Sequence, residues 1–301
     1  MSVMTRSAFI QSSSVFLVFL SLFGCCQFSW SETKVRYPRA LTDNDKRTEY
    51  PVRLLQLALS ASDRRYVVEA SEYRMPQGRA LLNLKHGSTL DVVWSMTSKD
   101  RERLLHPIRI PIYKGLIGWR LLLIRQQDQK KFSQLEHVTE LTKLAAVQGH
   151  DWPDTAILES NGFLVQGASN YQGMFDMLAR GRADYFPRSI VEIWQEQNNH
   201  RNKQLVVETT LLMHYPTAFY YFVNKNNRLL AEDLEAGLRR IIANSEFDRL
   251  FSTYFDPIMD KARIDQRRLV ELDNPTLPAE TPLGQSRLWL DIPPDLPKWL
   301  E

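Results

Sequence analysis

The sequence predicts an α/β protein made of two lobes of similar build, each a sheet flanked by helices, with two crossovers between them. Two observations carry this reading. The first is a repeated local grammar. Residues 79–94 run Arg-Ala-Leu-Leu-Asn-Leu-Lys-His-Gly-Ser-Thr-Leu-Asp-Val-Val-Trp, and residues 174–186 run Met-Phe-Asp-Met-Leu-Ala-Arg-Gly-Arg-Ala-Asp-Tyr-Phe. Each reads as a helix closed by a glycine (Gly87, Gly181), a short turn, an aspartate (Asp91, Asp184) and an apolar strand. Glycine just past the last helical residue adopts the left-handed conformation without a Cβ clash. Helix followed by strand is the alternation that gives sheets covered by helices. The second observation is the separation of the two units by nearly a hundred residues, which suggests two lobes and not a short-period solenoid; a single doubly wound sheet would give the same repeat.

The elements follow in order. Residues 1–31 hold one charge, Arg6, and a short apolar run from Val15 to Phe23. That pattern predicts a signal peptide and export to the periplasm, since a bilayer span needs ~20 apolar residues. Ser29 and Ser31 suit an ordinary cleavage site before Glu32, while Leu22-Phe23-Gly24-Cys25 offers lipidation at Cys25 as the alternative. The only cysteines are Cys25 and Cys26, so a chain starting at Glu32 has no disulfide and no thiolate metal ligand.

Further along, Gly115–Ile124 reads as a buried strand, and the polar stretch Arg125–Ser133 as a crossover. Ser169 with Gln172 forms a capping box for a helix whose apolar face is Tyr171, Met174, Phe175 and Leu178. Ala218–Val223 is a strand that carries the chain back, followed by a helix with Leu234, Leu238, Ile241 and Ile242 on one side. Asn244 ends that helix, and Ser245 with Asp248 caps another bearing Phe247, Leu250, Phe251 and Tyr254. From Asp256 the character changes. Prolines between Pro275 and Pro297 exclude helix and central strand, so this tail is expected to lie extended along the surface or to dock a partner, with Trp289, Leu290, Trp299 and Leu300 to bury.

The formal charge of +3 falls to +2 without the leader, and the basic residues are scattered, so no polyanion or nucleic acid is expected as partner. Six histidines lie without His-x-His or His-x-x-x-His spacing, which leaves a metal site unsupported. Neither a Gly-x-Ser-x-Gly elbow nor a phosphate-cradling glycine loop is present, so no cofactor is expected.

The order of elements resembles family three of the bacterial extracellular solute-binding proteins, over roughly residues 34–255. Its clearest stretch is Gly87 to Ile124: a Gly-x-x-x-Asp turn, a strand, Thr97, the basic residues Arg101 and Arg103, then Pro111, Tyr113 and a long apolar strand. Asp184 and the paired helices ending at Tyr254-Phe255 fit as well. The resemblance implies the type-two periplasmic-binding fold, a clamp closing on a small molecule without chemistry. It places residues 32–125 and 218–255 in lobe one, 126–217 in lobe two, and 256–301 in a Pro-rich extension. Hinged closure lets ligand shift an open–closed equilibrium.

The family's amino-acid binders carry a carboxylate-binding arginine three residues after the threonine, where this chain has Asp100, with Arg101 one place late. Their second lobe offers a threonine where this chain has Gly149-His150-Asp151, and an ammonium-binding aspartate where it has Ser189, next to Arg188. The usual amino-acid set is therefore incomplete.

Seven residues are expected to read the ligand: Trp94, Thr97, Arg101, Trp152, Asp154, Arg188 and Ser189. Arg101 and Arg188, one per lobe, would form planar forks for an anion. Trp94 and Trp152 would flank a ring or aliphatic group. Asp151 and Asp154 could bind a cationic group or cap the helix that follows. Tyr37, Tyr113 and Tyr171 border the cleft or belong to the framework. The expected partners are a small-molecule ligand and a membrane permease or sensor kinase, with the protein a monomer. Two other functions stay open: a periplasmic interaction protein with a decayed cleft that acts through its tail, and a small-molecule lyase or dehydratase on the same fold.

Overall fold

The computed structural model describes Met1 and residues 32–43, 45–292, 296 and 299. The expected signal peptide and the lipidation alternative at Cys25 lie outside the described residues. The chain divides into two units, residues 1–31 and 32–301, and the second holds every described element.

The first half of that unit contains β1 (Thr33–Arg39), α1 (Glu49–Ser60), β2 (Tyr66–Arg74), α2 (Gln77–His86), β3 (Val92–Met96), α3 (Lys99–Leu104), β4 (His106–Ile108) and β5 (Trp119–Arg125). Then come α4 (Gln129–Ser133), α5 (Val138–Leu141), β6 (Ala145–Gly149), α6 (Pro153–Ser160), β7 (Leu164–Ala168), α7 (Tyr171–Ala179), β8 (Tyr185–Ser189) and α8 (Ile193–Asn199). The chain closes with β9 (Leu205–Val207), β10 (Leu211–His214), β11 (Phe219–Val223), α9 (Arg228–Ala243), α10 (Glu246–Ala262) and β12 (Arg268–Glu271).

Two lobes result. In lobe one, β1 and β2 pair in parallel, and β11 lies antiparallel between β3 and β4. In lobe two the strand order is β12-β10-β5-β8-β6-β7, with β9 also on β5. The repeated sequence grammar has a physical counterpart in the sheets. Asp91 donates its N–H to Arg36 O of β1 at 2.9 Å, and its carboxylate takes back the Arg36 N–H at 2.9 Å. Asp184 does the same to Ala145 at the start of β6, at 2.8 and 2.9 Å. In each lobe the aspartate after the glycine turn clips a strand to its neighbour. Gly87 and Gly181 sit at φ +65° and +70°, the left-handed conformation that the helix ends require.

The structure moves several boundaries. Trp119–Arg125, assigned by sequence to lobe one, is fully inserted in the lobe-two sheet between β10 and β8. The capping box at Ser169 gives way to Asn170, whose side chain accepts the Gly173 N–H at 3.0 Å. Ser245 is left-handed with no side-chain cap, and Asn244 accepts the Glu246 N–H instead. Helix α10 runs past Asp256 and through Pro257 to Ala262, and β12 then adds a strand to lobe two.

The rest of the tail passes back and forth between the lobes. Asn274 donates to Pro216 O near the hinge, and Thr276 O accepts the Lys99 N–H of lobe one. Leu290 donates to Lys114 O, and the Trp289 ring lies where a Cβ on Gly115 would meet it at 2.8 Å. Trp299 then returns to lobe two, where its backbone bonds Leu269 O and its indole N–H bonds Glu136 O.

Candidate functional site

Between the lobes lies a cavity of about 260 Å³. Lobe one contributes Trp94 from β3 and Tyr113, and lobe two contributes Trp152 and Tyr171; Phe219, at the start of β11, completes the aromatic wall. Trp94 stands 5.7 Å from the Tyr37 ring and edge-on to Tyr221. Trp152 precedes α6 and lies over Gly149, where a Cβ would meet the indole at 2.6 Å. Only glycine leaves room for the indole to fold back over the end of β6. The Arg188 guanidinium, 4.9 Å from the Trp152 ring, holds it from beneath by a cation–π contact.

Below the aromatics is a buried charge cluster that joins the lobes. Asp45 grips Arg47 through two bonds, at 2.8 and 2.6 Å, and the Arg47 guanidinium sits 4.5 Å over the Tyr171 ring. Across the cleft, Glu196 accepts from Arg188 twice at 2.7 Å, from Tyr171 Oη at 2.6 Å and from Arg47 at 3.3 Å. Burial pushes the Glu196 carboxyl up, but Arg188, Arg47 and Tyr171 outweigh it and hold it down to about 2. Glu192 lies 2.9 Å from Arg188 and 4.0 Å from Arg47. Its carboxyl is pushed up by burial and by Glu196, against the pull of Arg188.

Of the seven residues singled out from the sequence, Trp94 and Trp152 line the cavity together. Arg101 is buried beside it, where it donates to Met96 O at 2.9 Å and Gln77 Oε1 at 3.0 Å. It also reaches across to Asp151 O at 3.4 Å. Burial, partly offset by Asp154 and Asp151, lowers its pKa to about 10. Arg101 faces a second chamber of about 500 Å³, walled by α6 and by Pro275 and Thr276 of the tail. Residues 150–152 line both chambers, with Asp151 against Gly78 of lobe one.

The other four lie behind the cavity. Arg188 is engaged by two glutamates, so it is not a free anion clamp. Asp154 is buried and takes Arg120 at 2.7 Å and the Tyr215 hydroxyl, so it faces the β5–β10 side and not a ligand. Thr97 donates to Glu102 at 2.7 Å, and Ser189 to Leu116 O at 3.1 Å. Sequence reasoning missed Asp45, Arg47, Glu192 and Glu196. Arg188, Glu192 and Glu196 stand at four-residue spacing, a signal that could have joined them on one face; nothing local marks Asp45 or Arg47. Among the described residues no three His, Cys, Asp or Glu converge as metal ligands, and no helix is long and apolar enough to cross a membrane.

No protein-family profile matches the chain, and no curated protein does. Solved structures do. One is an ancestral arginine-binding protein bound to arginine, with TM-score 0.55 and 13% identity over 74% of this chain and 98% of that one. The chain has the type-two periplasmic-binding fold. ArtJ, the arginine-, lysine-, histidine-binding protein of Geobacillus stearothermophilus, aligns with TM-score 0.55 and 13% identity over 77% of this chain and 99% of that one. A histidine kinase sensor domain with similarity to periplasmic binding proteins gives 0.54 and 14% over 75% and 96%. About a quarter of this periplasmic-binding-fold chain has no counterpart in these structures, while they are covered almost completely.

Proposed function

We propose that this protein captures a small organic solute in the cavity between its lobes and presents it to a membrane permease or a sensor, without chemistry. The observation that carries the reading is the aromatic wall contributed by both lobes, Trp94 and Tyr113 facing Trp152 and Tyr171. Concave, mostly apolar sites with a few placed polar groups are where small ligands bind. Trp94 and Trp152 touch the solute in this reading, while Arg188, Asp154, Thr97 and Ser189 hold the frame. Arg101 ties the lobes together at the rear of the site. Export through residues 1–31 belongs to the same proposal, since a permease or sensor partner requires a place outside the cytoplasmic membrane.

Glu192 favours one competing reading, because a carboxyl pushed up by burial can serve as an acid or base for a lyase. A neighbour of the fold is an ancestral amino-acid-binding protein described as a precursor of cyclohexadienyl dehydratase, with TM-score 0.51. Turnover of a bound ligand separates the two.

The test is thermal unfolding of the purified protein against amino acids, amines, sugars and organic acids. A ligand of the folded state at a hundredfold excess over Kd stabilises it by about 2.7 kcal/mol. At least one compound is expected to raise Tm, and to lose its effect in Trp152→Ala. A folded protein that responds to none of these classes contradicts the reading.

A further inference from the structure

Two crossovers form the hinge between the lobes, and they run side by side. Tyr215 donates its N–H to Gly118 O at 3.3 Å, and Ile112 donates its N–H to Phe219 O at 2.9 Å. Lobes joined only by such a pair of strands can swing apart about it. Here the chain goes on to cross between the lobes again, beyond the hinge.

The crossing from α10 into β12 is stapled by Arg267, which is 6% exposed. Its Nε donates to Ala262 O at the end of α10 at 2.7 Å, and its Nη1 to Glu208 O and Leu211 O of lobe two at 2.6 and 3.2 Å. The next crossing follows β12. Asp273 and Asn161, at the end of α6 in lobe two, exchange two bonds: the Asp273 N–H reaches Asn161 Oδ1 at 3.0 Å, and Asn161 Nδ2 reaches Asp273 O at 2.8 Å. Immediately afterwards lobe one takes hold. Lys99 donates its backbone N–H to Thr276 O at 2.9 Å and its Nζ to Pro275 O at 2.8 Å. That N–H is the first of α3, one of the groups a helix cannot satisfy from within.

Little slack separates these two anchors. Three residues of fully extended chain reach about 11 Å at most, and Asn274 shortens the path. Its Oδ1 accepts the Thr276 N–H at 3.0 Å and the Thr276 hydroxyl at 2.7 Å, which closes a tight turn. Its Nδ2 meanwhile donates to Pro216 O beside the hinge at 2.9 Å. Further on, Arg287 donates to Ile242 O of α9 at 2.8 Å and Leu290 to Lys114 O at 2.9 Å, so the lobe-one end is firmly held. Pro275 and Thr276 also wall the chamber between α3 and α6, which puts this segment on the flank of the cleft. Swinging α6 away from α3 beyond that reach must break the bonds at Asn161 or those at Lys99.

We propose that residues 263–276 are a strap that limits opening of the clamp and holds the lobes near their closed angle without ligand. A ligand shifts an open–closed equilibrium only by its differential affinity for the two states, and the strap biases that equilibrium before any ligand arrives. It acts whatever the ligand is.

The measurement is double electron–electron resonance on the full chain without ligand. Cys25 and Cys26 are the only cysteines, so replacing both by serine leaves a background for two spin labels. The labels go on Leu82→Cys in α2 of lobe one and Leu164→Cys in β7 of lobe two, both exposed positions. The native strap is expected to give one narrow distance. A ten-residue Gly/Ser insertion between Asn274 and Pro275 adds about 17 Å of r.m.s. reach, and is expected to add a second, longer distance. Where the insertion fails to fold, Asn161→Ala, which removes both bonds to Asp273, takes its place and is expected to broaden the distribution toward longer values. A native strap that already samples the longer distance overturns the proposal. A slackened strap whose distance stays narrow and unchanged overturns it too. Neither result touches the solute-binding reading, which the Tm screen decides separately.

Discussion

Glu196 does the most to hold the floor of the cleft in one geometry. It is 1% exposed and meets Arg188, Arg47 and Tyr171 at once, which links residues 149 positions apart. Replacing one partner of a buried ion pair leaves the others charged and unmatched, at a cost of about 3–5 kcal/mol. Glu196→Gln is expected to lose that much in urea unfolding while keeping the fold. The pH dependence has a defined sign. Glu196 has a folded pKa of about 2 against an ordinary 4.5, so its contribution is complete above 4.5 and is lost as the pH falls toward 2. Glu192 is raised above 4.5, so it acts oppositely: its contribution is complete below 4.5 and is lost as the pH rises through its folded value. Glu196→Gln should therefore flatten the acid side of the stability curve, and an acid limb as steep as the native protein's would contradict the role given to Glu196. At this scale the sequence was only partly readable. Trp152, a large aromatic beside Gly149 in a polar loop, lines the cavity where the sequence suggested it would stand. Arg188 looked like an anion clamp because it stands at the end of strand β8 while its carboxylate partners Glu192 and Glu196 belong to the start of α8 and to α8 itself, and its third neighbour, Arg47, lies far back in the chain.

Among the elements, the tail departs most from its sequence reading. Prolines do keep much of it irregular, yet β12 joins the lobe-two sheet in parallel with β10 across four residue pairs. A strand there was illegible because Arg268-Leu-Val-Glu271 is too short for a periodic signal, and its pairing partner is distant in sequence. Beyond it, the segment is pinned to lobe one near Lys99 and Lys114 and to lobe two at Trp299. The Trp299 ring is 7% exposed, lies 4.6 Å from the Arg268 guanidinium, and donates to Glu136 O at 2.6 Å. Removing a buried tryptophan side chain costs about 3–5 kcal/mol. Trp299→Ala is expected to destabilise the protein by that amount in chemical unfolding. A change within about 0.5 kcal/mol, the range of an unimportant surface site, would instead favour the tail as a free docking segment. The glycine–aspartate units, by contrast, were readable because their logic is local: a left-handed glycine ends a helix, and an aspartate three or four residues later fastens the next strand.

For the whole molecule, the fold followed from the sequence because the order of local units restricts topology, and the two lobes repeat one plan. The ligand did not, because recognition depends on which charges remain after distant partners have paired, and pairing is a property of the folded chain. In the proposed function, the aromatic cavity between the lobes is the ligand site. The six tryptophans among the described residues provide a resolved reporter: Trp94 and Trp152 line the cavity, while Trp119, Trp289 and Trp299 pack elsewhere. The measurement is indole N–H NMR on the protein titrated with the compound that raises Tm, with resonances assigned by single Trp→Phe variants. Saturable shifts of Trp94 and Trp152 are expected, with Trp289 and Trp299 unmoved. Shifts confined to Trp289 and Trp299 would place binding at the tail and contradict that assignment.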